Sequence, residues 1–344
     1  MTGMSGLIHN KKLFDRLYDD FKKTSKNSSK YWDNYVKSIT DEIELNGLKN
    51  FGKKYIITSG GFGDVPKLSP RPLFRKVFKI PIIYKFLEKK YMYYLVNKIK
   101  NNFFNLLIND EFELSDLLIH LGNKLNIKTK PFKLIRTVKI KHNLIPHSYT
   151  KGAINLDIIL KVIDFYNLNI SFEDLYAKNI IDIGGGIGSI LHSFKEHNEI
   201  NKYNQDSKYY LIEQFPVSYL AYKNLLYFND GDVSINSDNN KLNVITNSSI
   251  DSLNYLNVSF FFNSSSFQEM DTNQLEQYIS FIKTHASKKS YLACFLYPSN
   301  KELNSDKKVV SLMNNHFELL GWDKNYYDKY RGAIQGILYL YKVR

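Results

Sequence analysis

Two carboxylates, a run of glycines and a polar strand end carry the chemistry that can be read from this chain. Asp182 stands two residues ahead of Gly184, Gly186 and Gly188 in the run Asn179-Ile-Ile-Asp-Ile-Gly-Gly-Gly-Ile-Gly-Ser189. Glycines at that spacing let the backbone turn sharply and approach a ligand with no Cβ in the way. Glu213 ends the apolar run Tyr209-Tyr-Leu-Ile-Glu213, about 25 residues beyond Gly188. A strand-end acid there can grip the hydroxyls of a ribose. Glu269 and His147 have the side-chain types that take a proton from a hydroxyl. Together they describe a nucleotide-type cofactor beside a general base.

The position of the acid narrows the cofactor. A dinucleotide turn reads G-x-G-x-x-G and seats a pyrophosphate on the following helix, but here the third glycine comes one residue early and Ser189 takes its place. A carboxylate at Asp182 repels a pyrophosphate and suits a cationic ligand. The pattern D-x-G-x-G-x-G resembles the first motif of class I S-adenosylmethionine methyltransferases, whose cofactor carries an ammonium and a sulfonium. A nicotinamide or flavin cofactor is the competing expectation.

These residues need elements to hold them. Ile180, Ile181 and Ile183 predict a buried strand, and Leu191 and Phe194 follow at helical spacing. Further strands are expected at 209–213, 242–246, 258–263, 291–297, 316–322 and 337–343, the last two close enough for an antiparallel pair. With helices between them, including one over 154–165, they predict an α/β doubly wound, seven-stranded mixed sheet of the class I methyltransferase kind. Residues 233–236 are an alternative third strand, which moves the adenine contact from Asn247 and Ser248 to Asn236 or Ser237. Residues 1–150 carry helical patterns such as Leu13, Leu17 and Phe21 and are expected to form a mainly helical substrate or lid domain. Residues 151–344 are expected to form the catalytic domain. Loop chemistry marks 58–64 and 66–72, the former lacking the Lys-Ser/Thr of a phosphate loop.

Composition bounds the rest. The chain has 344 residues, one cysteine (Cys294) and a net charge of +13. A lone cysteine excludes an intramolecular disulfide and fits a reducing cytoplasm, and Cys294 in an apolar run reads as a core residue. No secretory or membrane-spanning segment is read, and no metal-binding cluster is found among the eight histidines. The positive charge concentrates in 70–100, where Arg71, Arg75, Lys76 and Lys79 interleave with Phe74 and Phe78. Such a face suits RNA, an anionic membrane or an anionic acceptor, or is a solvated helix face.

The segment after the strand at 258–263 is more specific. Asn263-Ser-Ser-Ser-Phe-Gln-Glu-Met270, with Lys30-Tyr-Trp-Asp33 and Asn50-Phe-Gly52, resembles the sugar O-methyltransferase family of bacterial glycan biosynthesis. That resemblance implies methylation of a sugar hydroxyl, nucleotide-linked or in a capsular or surface glycan, on a sugar or glycan acceptor carried by a nucleotide or a lipid, with no stable nucleic-acid partner, in the cytoplasm or at the inner membrane face. It implies Glu269 as first candidate base, Gln268 as substrate-orienting, and Asn263 as the residue holding the strand-end loop at the cofactor. His147, in Pro146-His-Ser-Tyr-Thr150, is the second candidate base, and Arg331 a contact for an anionic acceptor. An RNA methyltransferase using the basic N-terminal half, and a scaffold with a vestigial cofactor fold, are the competing readings.

Overall fold

The structure is a computed structural model describing residues 8–24, 30–48, 51, 115–125, 137–140, 143–229, 232–297, 306–323 and 336–343. Its centre is an eight-stranded sheet in the order β5-β6-β4-β3-β7-β8-β10-β9. The strands are β3 (Asn179–Ile183), β4 (Tyr209–Glu213), β5 (Val233–Ile235), β6 (Leu242–Thr246), β7 (Val258–Ser264), β8 (Ala286–Leu296), β9 (Glu318–Asp323) and β10 (Ile337–Val343). β3 pairs in parallel with β4 and with β7, putting Ile181 between Tyr210 and Phe261. β10 runs antiparallel between β8 and β9, the pairing expected of the last two strands. From β3 the chain passes first to β4 on one side and later to β7 on the other, so β3 is the switch point, beyond whose carboxyl end ligands bind in such sheets.

The strands read as continuous apolar runs because both faces are covered. Ile180, Leu211 and Phe262 face a core shared with helices α4 (His147–Phe165), α6 (Ser189–Asn201) and α7 (Val217–Phe228). Ile181, Ile183, Ile212 and Phe261 face the opposite core with α8 (Thr272–His285) and α9 (Asp306–Asn314). The two-residue period therefore turns Asp182 toward the first layer, on the side of Ile180. Near the N-terminus, α1 (Lys11–Thr24) and α2 (Lys30–Asn46) bury Phe14, Leu17, Ile39 and Ile43 against Ile187, Phe215, Tyr219 and Leu220. Helix α3 (Ser115–Leu125) packs on α4 and α6. α5 (Phe172–Leu175) is one turn closed by a Ser171–Asp174 capping box.

Several expectations change. Both candidate third strands form: Leu242–Thr246 pairs with β4, and Val233–Ile235 adds an eighth strand outside it. A hairpin, β1 (Thr137–Ile140) and β2 (Asn143–Pro146), interrupts the helical N-terminal half. The helix expected over 154–165 starts at His147, directly after Pro146, and runs through the boundary drawn at 150/151. The basic stretch 70–100, the loops at 58–64 and 66–72, and Arg331 lie outside the described residues. Among the described residues no helix is long and apolar enough to cross a membrane.

Candidate active site

The site forms where β3, β4, β6 and β7 end. Gly184 and Gly186 follow β3 with φ of 67° and 60°, and Gly188, at 78°, starts α6 from the left-handed region. A Cβ on Gly184 would lie 2.1 Å from Ser266 Oγ, so the turn after β3 and the turn after β7 touch only because that position is bare. Gly185, which the spacing did not single out, is as constrained: its Cβ would meet Asp182 Oδ2 at 2.1 Å and Leu211 Cδ1 at 2.5 Å.

Asp182 corrects the expectation of an acid facing a cationic ligand. Its carboxyl is fully buried beneath Gly185, and neither oxygen has a hydrogen-bond partner. Burial, and secondarily the neighbouring Glu213, pushes it well above the usual carboxylate range. Asp182 is thus a buried carboxyl under the glycine turn whose protonated form is favoured by its surroundings. Strand alternation, invisible in the motif, decided this.

Glu213 stands at the end of β4, 7% exposed, and lines the cleft. Its Oε2 accepts from the Gly186 N–H at 2.8 Å and its Oε1 from the Gln214 N–H at 2.7 Å. Burial raises it to about 7, while the two backbone donors pull in the opposite direction. A carboxylate has about four lone-pair sites, so two remain for the hydroxyls of a bound ribose. The acid that holds such a ligand also fastens the glycine turn.

Gly184, Glu213, Gln214, Asn247, Ser264, Ser266, Glu269 and Tyr278 are among the residues that line a cleft of about 70 Å³. Beyond Asn247 and Tyr278 it adjoins a groove of about 860 Å³, whose walls include Gln214, Phe215, Ile250, Gln277 and Phe281. Asn247 opens the 3-10 turn after β6, and its Oδ1 accepts from the Tyr278 hydroxyl at 2.8 Å. Glu269 closes the 3-10 turn Ser266–Glu269 after β7. That turn is entered through Ser265, a non-glycine at φ 72° whose N–H donates to the Phe295 carbonyl. A left-handed serine at a strand end is strain held at the place that aims Glu269.

Two neighbours of Glu269 have other occupations. Gln268 is buried; its Nε2 donates to the Tyr297 carbonyl at 2.7 Å and its Oε1 accepts the Tyr297 N–H at 2.6 Å. The expected substrate-orienting amide is a strap between the turn and the end of β8. Asn263 donates to the Ile183 carbonyl at 2.8 Å and to Ser266 Oγ, and accepts from the Phe267 N–H. It holds the loop and lies outside the cleft lining, so its expected cofactor contact is replaced by a structural one. His147 is the first residue of α4.

Sequence reasoning missed Ser266 and Tyr278. Ser266 sits inside the resembling motif, but its approach to Gly184 depends on β3 and β7 being adjacent. Tyr278 had a signal: Asp271 and Gln274 form a capping box that fixes where α8 begins and sets Tyr278 on its second turn.

No protein-family description matches the chain, and no curated protein matches it. Among solved structures, the mitomycin 7-O-methyltransferase MmcR is similar at 12% identity and TM-score 0.39, over 57% of this chain and 54% of that one. The pyocyanin biosynthetic protein PhzM is similar at 10% identity and TM-score 0.36, over 50% and 52%. A Burkholderia thailandensis 1,6-didemethyltoxoflavin-N1-methyltransferase, solved with S-adenosylhomocysteine, is similar at 11% identity and TM-score 0.34, over 60% and 94%. The chain spans about half the length of the first two. The strand order does not depend on these likenesses. A parallel sheet turning at β3, a glycine turn after it, an acid ending β4 and an antiparallel β10 between β8 and β9 give this chain the class I S-adenosylmethionine-dependent methyltransferase fold.

Proposed function

We propose that this protein is an S-adenosylmethionine-dependent O-methyltransferase acting on a sugar hydroxyl of a nucleotide-linked or lipid-linked acceptor. One observation carries the reading: Gly184, Glu213 and Glu269 line the same cleft beyond the carboxyl ends of β3, β4 and β7. When bound, the cofactor supplies an electrophilic methyl group on a sulfonium. Glu213 accepts from the ribose hydroxyls with its remaining lone pairs, and Asn247 meets the base. Gly184, bare of a side chain of its own, lets Ser266 close over the glycine turn at the floor of the cleft.

Methyl transfer to oxygen is an in-line displacement, so alignment of the hydroxyl is the largest contribution the protein makes. A sugar hydroxyl is a weak nucleophile until its proton leaves, and a positioned base contributes roughly 10²- to 10⁴-fold. Glu269 is the carboxylate in the cleft beside Ser264 and Met270 and takes that proton at its side-chain oxygen. The sugar acceptor is supported by the resemblance of Asn263–Met270 to the sugar O-methyltransferase signature.

Titration calorimetry with S-adenosylmethionine, S-adenosylhomocysteine and NAD tests the cofactor, with micromolar binding of the first two alone expected. Transfer of a labelled methyl group to a panel of nucleotide sugars and glycan precursors tests the acceptor. The Glu269→Gln protein should bind S-adenosylhomocysteine as the parent does and lose at least 100-fold in transfer. Equal transfer by parent and variant would remove Glu269 as the base, and transfer to RNA alone would replace the sugar.

A further inference from the structure

Cross-strand register lines up one row of residues from the glycine turn to the far edge of the sheet. Ile183 pairs with Asn263, Asn263 with Cys294, Cys294 with Tyr339, and Tyr339 with Trp322. Ile183 precedes Gly184 and Asn263 precedes Ser264, both of which line the cleft, so Trp322 stands level with the site. Because β10 is antiparallel to both β8 and β9, β9 runs parallel to β8 and β7, and its carboxyl end points the same way as the cleft. Three strand steps separate Asn263 from Trp322, about 14 Å at the usual spacing. That is the reach of a short oligosaccharide and too far for one sugar ring.

Ile183, Asn263 and Cys294 are fully buried, whereas Trp322 keeps 45% of its surface in water. Its indole stacks on Tyr339, with ring planes 13° apart and centroids 6.3 Å apart, so two flat rings close the row at the edge. The backbone beneath the indole is pinned from the opposite face. There the Tyr166 hydroxyl donates to the Trp322 carbonyl at 3.0 Å, and a Cβ on Gly321 would stand 2.6 Å from Tyr166 Cδ2. A ring held in place before a ligand arrives loses little freedom on binding. A second copy pairing along β9 suits this edge poorly, because a symmetric antiparallel ladder over Glu318–Asp323 sets acids opposite acids, Glu318 against Asp323. A pyranose suits it well: its C–H face is flat and apolar, and its hydroxyls point from the ring edge to water.

We propose that Trp322, backed by Tyr339, is a distal acceptor subsite that stacks on a sugar ring further along the chain from the ring being methylated, so that the acceptor is an oligosaccharide. This rests on the sugar O-methyltransferase reading above and deepens it by choosing a glycan chain over a single nucleotide-linked sugar. Covering the exposed indole with the apolar face of a distal ring adds affinity that a monosaccharide in the cleft does not reach, roughly tenfold. The same contact fixes the direction in which the chain leaves the cleft, from β7 across β8 and β10 to β9.

The test probes an array of bacterial capsular and O-antigen fragments, from single sugars to hexasaccharides, with the full chain in the presence of S-adenosylhomocysteine. Trp322→Leu, which keeps an apolar side chain over Tyr339 but no flat face, and Trp322→Tyr, which keeps a flat ring, are run beside it, with thermal melts confirming that each is folded. The parent is expected to bind trisaccharides and longer fragments roughly tenfold tighter than the matching single sugars. Trp322→Leu should bind long and short fragments alike, while Trp322→Tyr stays within about threefold of the parent on the long ones. Affinity for S-adenosylhomocysteine in calorimetry should be the same in all three. If the parent shows no preference for length, or Trp322→Leu keeps it, the indole does not read the acceptor and the proposal fails. A dimer in sedimentation that Trp322→Leu dissolves makes the indole a contact between copies and also overturns it. Failure of the parent to bind S-adenosylhomocysteine overturns the methyltransferase reading itself, and this proposal with it, an outcome distinct from the others.

Discussion

Replacing Glu213 by glutamine should make the ligand-free protein more stable at pH 8 and leave it equal or slightly weaker at pH 5. Glu213 titrates near 4.5 when exposed and near 7 in the folded chain, because burial disfavours its charged form. The stability tied to it is complete below about pH 4.5, declines as pH rises, and is gone above about pH 7. At 1.36 kcal/mol per unit, that difference is worth about 3 kcal/mol. Glutamine has no charge to bury, but its single oxygen serves only one of the two N–H donors at Gly186 and Gln214, which returns about 1 kcal/mol. The expected gain at pH 8 is about 2 kcal/mol, read as a shift in urea midpoint at unchanged slope. Asp182 is raised in the same sense, first by its own burial and then by Glu213, so the burial part of its decline persists in the variant and the part owed to Glu213 is counted in the parent–variant difference. Ligand binding runs the other way. Ribose hydroxyls favour the carboxylate, so S-adenosylhomocysteine should bind the parent about tenfold tighter at pH 8 than at pH 6, and the variant weakly with no such trend. A parent–variant stability difference that is the same at both pH values would refute the reasoning, since a purely geometric role does not titrate.

Asp182→Asn should change S-adenosylhomocysteine affinity by less than about fivefold, because the carboxyl lies under Gly185 without partners; a 100-fold loss in calorimetry would mean that it reaches the ligand. Gly185→Ala drives a Cβ into Asp182 and Leu211 and should cost about 1–3 kcal/mol in chemical denaturation. Gly186→Ala meets nothing within 4 Å and carries only the strain of its φ of 60°, about 1–2 kcal/mol. Glu196 is fully buried, and its Oε1 and Oε2 receive Lys124 Nζ at 2.7 Å, with His192 and Lys195 also within 3.2 Å of Oε1. Burial works to raise this carboxyl, yet His192, Lys195 and Lys124 hold it well below the usual range, so its contribution is full above about pH 4.5 and lost as pH falls further. Glu196→Gln leaves Lys124 and Lys195, between α3 and α6, with Glu199 as their remaining carboxylate and should cost about 3 kcal/mol at pH 7, with the difference shrinking in acid denaturation; a loss independent of pH would point to packing alone.

Adjacent residues fixed what the sequence alone could determine about this protein. The isoleucine-rich run Ile180–Ile183 and the phenylalanine-rich run Val258–Phe262, alternating with helical spacings, predict a parallel sheet, because such apolar runs are stable only when covered on both faces. Gly184, Gly186 and Gly188 predict a tight turn because the positive φ they adopt is a property of single residues. Glu213 at the end of β4 followed from counting along one strand. The local code ran out where neighbours come from different strands. Whether Asp182 faces a ligand or a core depends on which layer its strand turns it toward. Whether Gln268 meets a substrate depends on the end of β8, 29 residues away, where the Tyr297 backbone takes both of its polar atoms. The tertiary structure alone decided the meeting of Ser266 with Gly184 and of Tyr278 with Asn247, because each pair joins segments that become neighbours only when β6, β4, β3 and β7 are assembled in one sheet. A side chain's type sets what chemistry it can do; the cross-strand register sets what it can reach.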